Sequence, residues 1–313
     1  NWSGRLSAGY PTVTALAASA YVPELPMGYV SGGGYQETAI LLRYTSLRNP
    51  EGLAGLIDGN VTAWNAGNRY RHQSDLDRIK AYQLARLERL QASGGLTPRQ
   101  THALATYREA RISRDQLSAF AELLPTADDV QDPVQVTQRG RSTLLQQAQV
   151  ALIGFKAGVS MSADLRLGGF DTHASHDADH EPVLQHLTES VDYIWETAGE
   201  LGIDDRLTVF LGSDFGRTPR YNSSDGKDHW PIGSAVFMQR NAPWGNRTVG
   251  ITNEGHEAVP LDEATLVPDT SGRHIYPGDV QRAMRTLAGI DDHANTQLFP
   301  IDTGGNMDLL GVV

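Results

Sequence analysis

The sequence predicts an α/β protein whose mostly parallel central sheet is flanked by helices, and three observations carry that expectation. Leu207–Leu211 is a short, almost wholly apolar run, the pattern of a strand buried on both faces. Ahead of it Val183, Leu184, Leu187, Val191, Ile194 and Ala198 recur at helical spacing, so one stripe of that segment faces a core. The order strand, polar motif, helix, strand, polar motif is the logic of a βαβ unit, in which both motifs open on the carboxyl edge of one sheet.

Taken in chain order, the first 35 residues are punctuated by Pro11, Pro23, Pro26 and the Ser31–Gly34 run SGGG, with a short helix or strand around Val13–Ala20. From Ser74 to Leu124 the chain is rich in Leu, Ala, Arg, Gln and Glu. Leu76, Ile79, Leu84, Leu87 and Leu90 lie on one helical face, and GG followed by TPRQ marks a break and a restart, which predicts a helical hairpin. Ser142–Ala157 is a further helix, broken at Gly158. VSMSADLRLGGFDTH then reads as a strand that delivers a polar motif at its end.

Glu181–Leu201 is the helix between the motifs, and His176–His180 is its polar entry, acidic as the helix dipole favours. Ser234–Gln239 and Thr248–Thr252 are short strand candidates, and Gly278–Leu287 is a late helix introduced by Tyr276 and Pro277. Residues 1–313 read as a single α/β domain with 74–124 as a helical insertion.

Composition removes several classes of function. The formal net charge of -11 repels nucleic-acid backbones and anionic membranes, so no nucleic-acid partner is expected. No apolar run reaches the roughly 18 residues of a transmembrane helix, so no membrane insertion is expected either. The absence of Cys excludes disulfides, thiol nucleophiles and Cys-ligated zinc. Any metal must be held by His, carboxylate or carbonyl groups.

Three motifs supply such groups. Asp171 and His173 stand on alternate residues as a strand runs out, so their side chains point the same way. Asp214 follows the apolar run directly, in GSDFGRT, and Asp228 and His229 lie in the Gly-flanked DGKDHWP. Asp with His suits zinc or manganese, whereas calcium and magnesium take oxygen ligands. Asp214 and Asp228 also have a plain reading as turn or capping residues. Trp230 and Trp244 fall in loops where they either stack on a flat ligand or pack, and Trp195 on the helical stripe reads as core.

GGFDTHASH, FLGSDFGRT and GKDHWPIGSAVFM, in that order, resemble the bacterial family "domain of unknown function 1501" of the alkaline phosphatase and sulfatase superfamily. The resemblance runs from about Tyr10 to GDVQRAMRTLAGI and implies an alkaline-phosphatase-like fold. It implies a metal-dependent hydrolase of phosphate or sulfate esters, acting on a small molecule or a polymer with one or two divalent ions. Asp171, His173 and His229 would bind one ion and Asp214 a second, Arg217 would neutralise the oxyanion, and Ser3, in NWSGR, would be the nucleophile.

Two departures qualify this. Phe215 stands where hydrolases of the superfamily carry a His after the second Asp, and their first strand, with a further metal-binding Asp, is expected to be missing from this chain. Another chain or an upstream segment would then supply that strand. The resemblance also implies twin-arginine export and a periplasmic or extracellular protein. The alternative is a non-catalytic member of the same fold, a binding or structural subunit of an extracellular assembly.

Overall fold

A computed structural model describes residues 9–22, 25, 27–46, 72–105, 107–108 and 144–311. It bears out the α/β class: helices pack on a small parallel sheet of three strands, β1 (Tyr29–Ser31), β2 (Tyr44–Ser46) and β3 (Ser162–Asp164), in the order β2-β1-β3.

The first helix packs on that sheet. α1 (Val13–Tyr21) begins where the Thr12 hydroxyl accepts from the Ala15 amide, and buries Leu16 and Ala18 completely. α2 (Gln73–Ala92) starts the predicted hairpin. Gly94 and Gly95 take positive φ after it, and Thr97 and Gln100 cap the helical residues 98–105. Of the five apolar residues assigned to one face of this segment, Leu87 alone is buried; residues 109–124 lie outside the described residues.

α3 (Leu144–Lys156) is buried on nearly every side, because the sheet and α4 (His176–Leu201) pack against it. Ala148 and Leu152 of α3 meet Ile194 and Ala198 of α4, with Ile203 closing the cluster and Leu165 and Val209 at its border. Burying side chains of this size contributes about 1.5–3 kcal/mol for each large one. The buried face of α4 is Val183, His186, Ser190, Ile194 and Ala198, at spacings of three and four. Leu184 lies outside that face and is exposed, a correction to the predicted stripe.

β4 (Thr208–Gly212) forms where the apolar run predicts a strand, with a different setting. It pairs antiparallel with β7 (Ala235–Gln239), in register Phe210 with Phe237, and belongs to a separate ladder from β3. Its apolar residues are half-buried, because one face covers the α3–α4 cluster while the other keeps contact with solvent. Instead of continuing into a parallel crossover, the chain returns through β5 (Gly216–Arg217) and β6 (His229–Trp230), themselves an antiparallel pair. The predicted strand at 248–252 is reduced to a bridge between Thr252 and Ala258. Trp244 is buried against Phe237, Ala283 and Leu310, so it belongs to the core.

The late helix is α5 (Pro277–Leu287), followed by the short α6 (Ala294–Gln297). The Asp279 side chain accepts from the Tyr276 backbone amide at its first turn. Among the described residues no helix is long and apolar enough to cross a membrane.

Candidate metal centre

Two features of the fold steer the first motif into place. The Gln147 side chain of α3 donates to the Arg166 carbonyl (3.0 Å) and accepts from the Arg166 amide (2.8 Å), as a neighbouring strand would. This pins the chain as it leaves β3. Residues 172–176 are then laced to the loop 218–228: the Lys227 amide donates to the Thr172 carbonyl and the His176 amide to the Asp225 carbonyl.

The β5–β6 ribbon supplies the facing groups, since Arg217 pairs directly with His229. As a result Asp171, His173 and His229 converge, with ligand atoms all within 4.8 Å of one another. His173 Nε2 lies 3.1 Å from His229 Nε2 and 3.2 Å from Asp171 Oδ1, and His229 Nε2 is 3.9 Å from the same oxygen. Atoms so spaced share a point about 2 Å from each, the bond length zinc takes to imidazole nitrogen and carboxylate oxygen. Two nitrogens and one oxygen are a donor set for a divalent ion, and three protein ligands leave coordination positions open.

The surrounding charges are ordered as well. Arg217 Nη2 donates to Asp171 Oδ1 at 2.8 Å, and that guanidinium holds the Asp171 carboxyl below the usual carboxylate range. Arg217 Nη1 donates to the Lys227 carbonyl, and its guanidinium lies 5.6 Å from the Phe215 ring centre. Asp228 Oδ1 stands 2.8 Å from His173 Nδ1, and the hydrogen bond from His173, joined by that from Asn222, lowers the Asp228 pKa.

Beside the centre, Phe170, His180, His176 and Tyr221 form a run of ring contacts, and the Thr172 hydroxyl meets His176 Nδ1 at 2.6 Å. Burial lowers the pKa of both His176 and His180, which favours their neutral forms. They begin α4, as the sequence predicts, and are not part of the converging group.

Of the residues singled out in the sequence, Asp171, His173 and His229 come together, with Arg217 beside them. Asp214 is exposed beyond β4 and outside the converging three, and Ser3 lies outside the described residues. Sequence reasoning missed the parts that Asp228, Asn222 and Phe215 play. Asp228 backs His173, Asn222 backs Asp228, and Phe215 lies 4.0 Å, centre to centre, from the ring of His229. The adjacency of Asp228 to His229 in DGKDHWP was the available signal for the first.

An α/β scaffold with two imidazoles and a carboxylate converging beside a guanidinium defines the class: a protein with a candidate metal centre. The chain belongs to the family described as "Protein of unknown function (DUF1501)", whose model matches residues 59–264 and so contains the whole centre. No curated protein and no solved structure matches the chain.

Proposed function

We propose that the protein is a metal-dependent hydrolase of phosphate or sulfate esters with an alkaline-phosphatase-like fold. The observation that carries this reading is the convergence of Asp171, His173 and His229 on one point. A divalent ion, zinc or manganese, bound there supplies Lewis acidity to an ester oxygen. Arg217, held by Asp171 and the Lys227 carbonyl, presents a guanidinium beside that position, where its fork fits a tetrahedral oxyanion. Asp214 is proposed as the carboxylate of a second ion, and Ser3 as the nucleophile.

The remaining parts of the reading rest on the resemblance of the three motifs. They are a periplasmic or extracellular location after twin-arginine export, a small-molecule or polymeric ester as substrate, and a strand supplied by another segment or chain. Among the described residues β3 pairs with β1 and β4 with β7, which leaves an edge on each ladder for such a strand.

One observation favours a second reading. Arg217 already neutralises Asp171, so the cluster is also a self-sufficient ionic network, as suits a non-catalytic subunit of an extracellular assembly. Metal analysis of the purified protein, with the Asp171→Ala and His229→Ala variants, separates the two. A hydrolase retains about stoichiometric zinc or manganese and loses it in both variants, with lower heat stability. Metal content near zero in the wild-type protein, or unchanged in both variants, overturns the metal reading.

A further inference from the structure

We infer that Phe215 is a binding platform for a flat apolar group, and that the ester taken by this centre is an aryl phosphate or aryl sulfate. The inference rests on the reading of the centre as one that binds a tetrahedral oxyanion.

The two faces of the β5–β6 ribbon differ. Arg217 and His229 are directly paired, so their side chains leave the ribbon on the same side. Phe215 stands two residues before Arg217, which puts it on that side as well. Its contacts agree: the ring lies 4.0 Å, centre to centre, from that of His229, and the Arg217 guanidinium is 5.6 Å from its centre. Gly216 and Trp230 take the opposite face, where the Trp230 indole nitrogen donates to the His256 carbonyl. One face of a short ribbon thus presents a metal ligand, a cation and an aromatic ring side by side. The first two suit the oxyanion of an ester, and the third suits the group to which that oxyanion is attached.

Burial in the core does not account for Phe215. It is exposed, and it belongs to none of the hydrophobic core clusters among the described residues. The neighbouring aromatic groups are already engaged. Tyr221 gives its hydroxyl to Asp177 and its ring to the Lys227 ammonium at 4.8 Å, and Phe170 meets His180 edge to face. Phe215 therefore keeps apolar surface open to water beside the position of the oxyanion. A ligand ring laid on it removes apolar area of both partners from water and adds the attraction between rings. Phe215 itself offers no hydrogen bond to a hydroxyl-rich group, so a flat apolar ring makes fullest use of it.

The test uses zinc-saturated protein and four oxyanions that are not hydrolysed: phenylphosphonate with methylphosphonate, and benzenesulfonate with methanesulfonate. Calorimetric titration gives, for each pair, the ratio of the aryl to the methyl dissociation constant. Differences in the charge of the free ligands are common to every variant, and saturating zinc removes any effect of Phe215 on metal occupancy. The change in the ratio between variants therefore reports the ring. Wild type is expected to favour the aryl member, Phe215→Ala to lose about two- to tenfold of that preference, and Phe215→Tyr, which keeps the ring, to retain it.

Ratios equal in wild type and Phe215→Ala, with both members of a pair bound, overturn the platform and leave the hydrolase reading standing. A preference lost in Phe215→Tyr as well as in Phe215→Ala also overturns an aromatic platform. A preference lost in Phe215→Ala and kept in Phe215→Tyr, in a protein that turns over neither phenyl phosphate nor phenyl sulfate, supports the aryl site and overturns the hydrolase reading. Binding of none of the four compounds overturns both.

Discussion

Gly226 and His173 approach so closely that a methyl group on Gly226 would overlap the His173 carbonyl and the Ala174 nitrogen. The loop 218–228 can lie against the first motif because that position carries no side chain. Around the contact, the Asn222 amide donates to the Gly226 carbonyl within the loop and the Lys227 amide to the Thr172 carbonyl across to the motif, so moving the two segments apart breaks the second bond.

Gly226→Ala is therefore expected to destabilise the protein by about 1–3 kcal/mol, the cost of forcing an extra carbon into a filled site. Zinc affinity should fall with it, since Asp228 and His229 lie on the displaced side. Urea denaturation and chelator competition check the two effects. A variant with wild-type values of both would mean that this loop is not seated on the motif in solution.

Phe215 occupies the position where the resemblance leads one to expect a ligating His, and it touches the centre in another way. Its ring lies 4.0 Å from that of His229 at 33°, covering one face of the imidazole. Ring contacts of this kind contribute about 0.5–1.5 kcal/mol, so Phe215→Ala should weaken zinc binding about two- to tenfold while Phe215→Tyr preserves it. Because Phe215 is 40% exposed, global stability should change little. Equal affinities for wild type and Phe215→Ala would show that the ring does not position His229.

The sequence revealed the parts of this centre that depend on local spacing. Asp171 and His173 are legible as a pair because alternate residues of an extended chain share a side, and His176–His180 as a helix entry because acidic first turns are common. His229 and Arg217 are legible as residue types suited to an ion and an oxyanion. What joins them is not local. Asp228 meets His173 across 55 positions, and β4 finds β7 only after the chain has passed through both halves of the β5–β6 ribbon. Periodicity reports which residues want burial and not which strand they will meet, so Leu207–Leu211 suggested a central parallel strand where an antiparallel, half-buried one forms. Asp214, like Asp171, follows an extended run, and the turn after Gly212 brings Phe215 rather than Asp214 onto His229.

Away from the centre, Asp279 is fully buried and takes two hydrogen bonds from Arg273, at 2.8 and 2.6 Å. Its Oδ2 also accepts from the Tyr276 amide at the start of α5. Removing Asp279 leaves the Arg273 guanidinium with only the more exposed Glu263 carboxylate, 3.3 Å from its Nε, so Asp279→Ala should cost up to about 3–5 kcal/mol. Arg206 and Asp205 form the contrasting case: both are exposed and 3.5 Å apart, and Arg206→Ala should change stability by less than about 1 kcal/mol. Chemical denaturation of the two variants side by side tests the contrast. Similar losses in both would mean that burial does not distinguish these pairs.

Asp164 gives the fold a pH dependence of unusual sign. Its two oxygens accept from the Thr14 and Tyr29 hydroxyls, at 2.6 and 2.7 Å, tying α1 and β1 to the end of β3. Burial pushes its pKa above the ordinary 3.8, and this outweighs the hydrogen bonds that favour the ionised form. Burial, and then the charge of Asp164, push the Tyr29 phenol up as well, so Tyr29 stays neutral across the range in which Asp164 titrates. The folded state therefore holds a proton on Asp164 where the unfolded state has released it. Between 3.8 and the raised folded value, stability from this group falls as pH rises, and above that value the ionised carboxylate is a constant cost. Asp164→Asn cannot titrate, while its amide still accepts from one hydroxyl and donates to the other. The difference in unfolding free energy, wild type minus Asp164→Asn, should accordingly grow in favour of the wild type as the solution is acidified from about pH 7 toward the unfolded carboxylate value. Other carboxylates titrate in both proteins and cancel in that difference. A difference that is flat with pH, or that shrinks on acidification, would mean that Asp164 is as well solvated in the folded protein as in the unfolded chain.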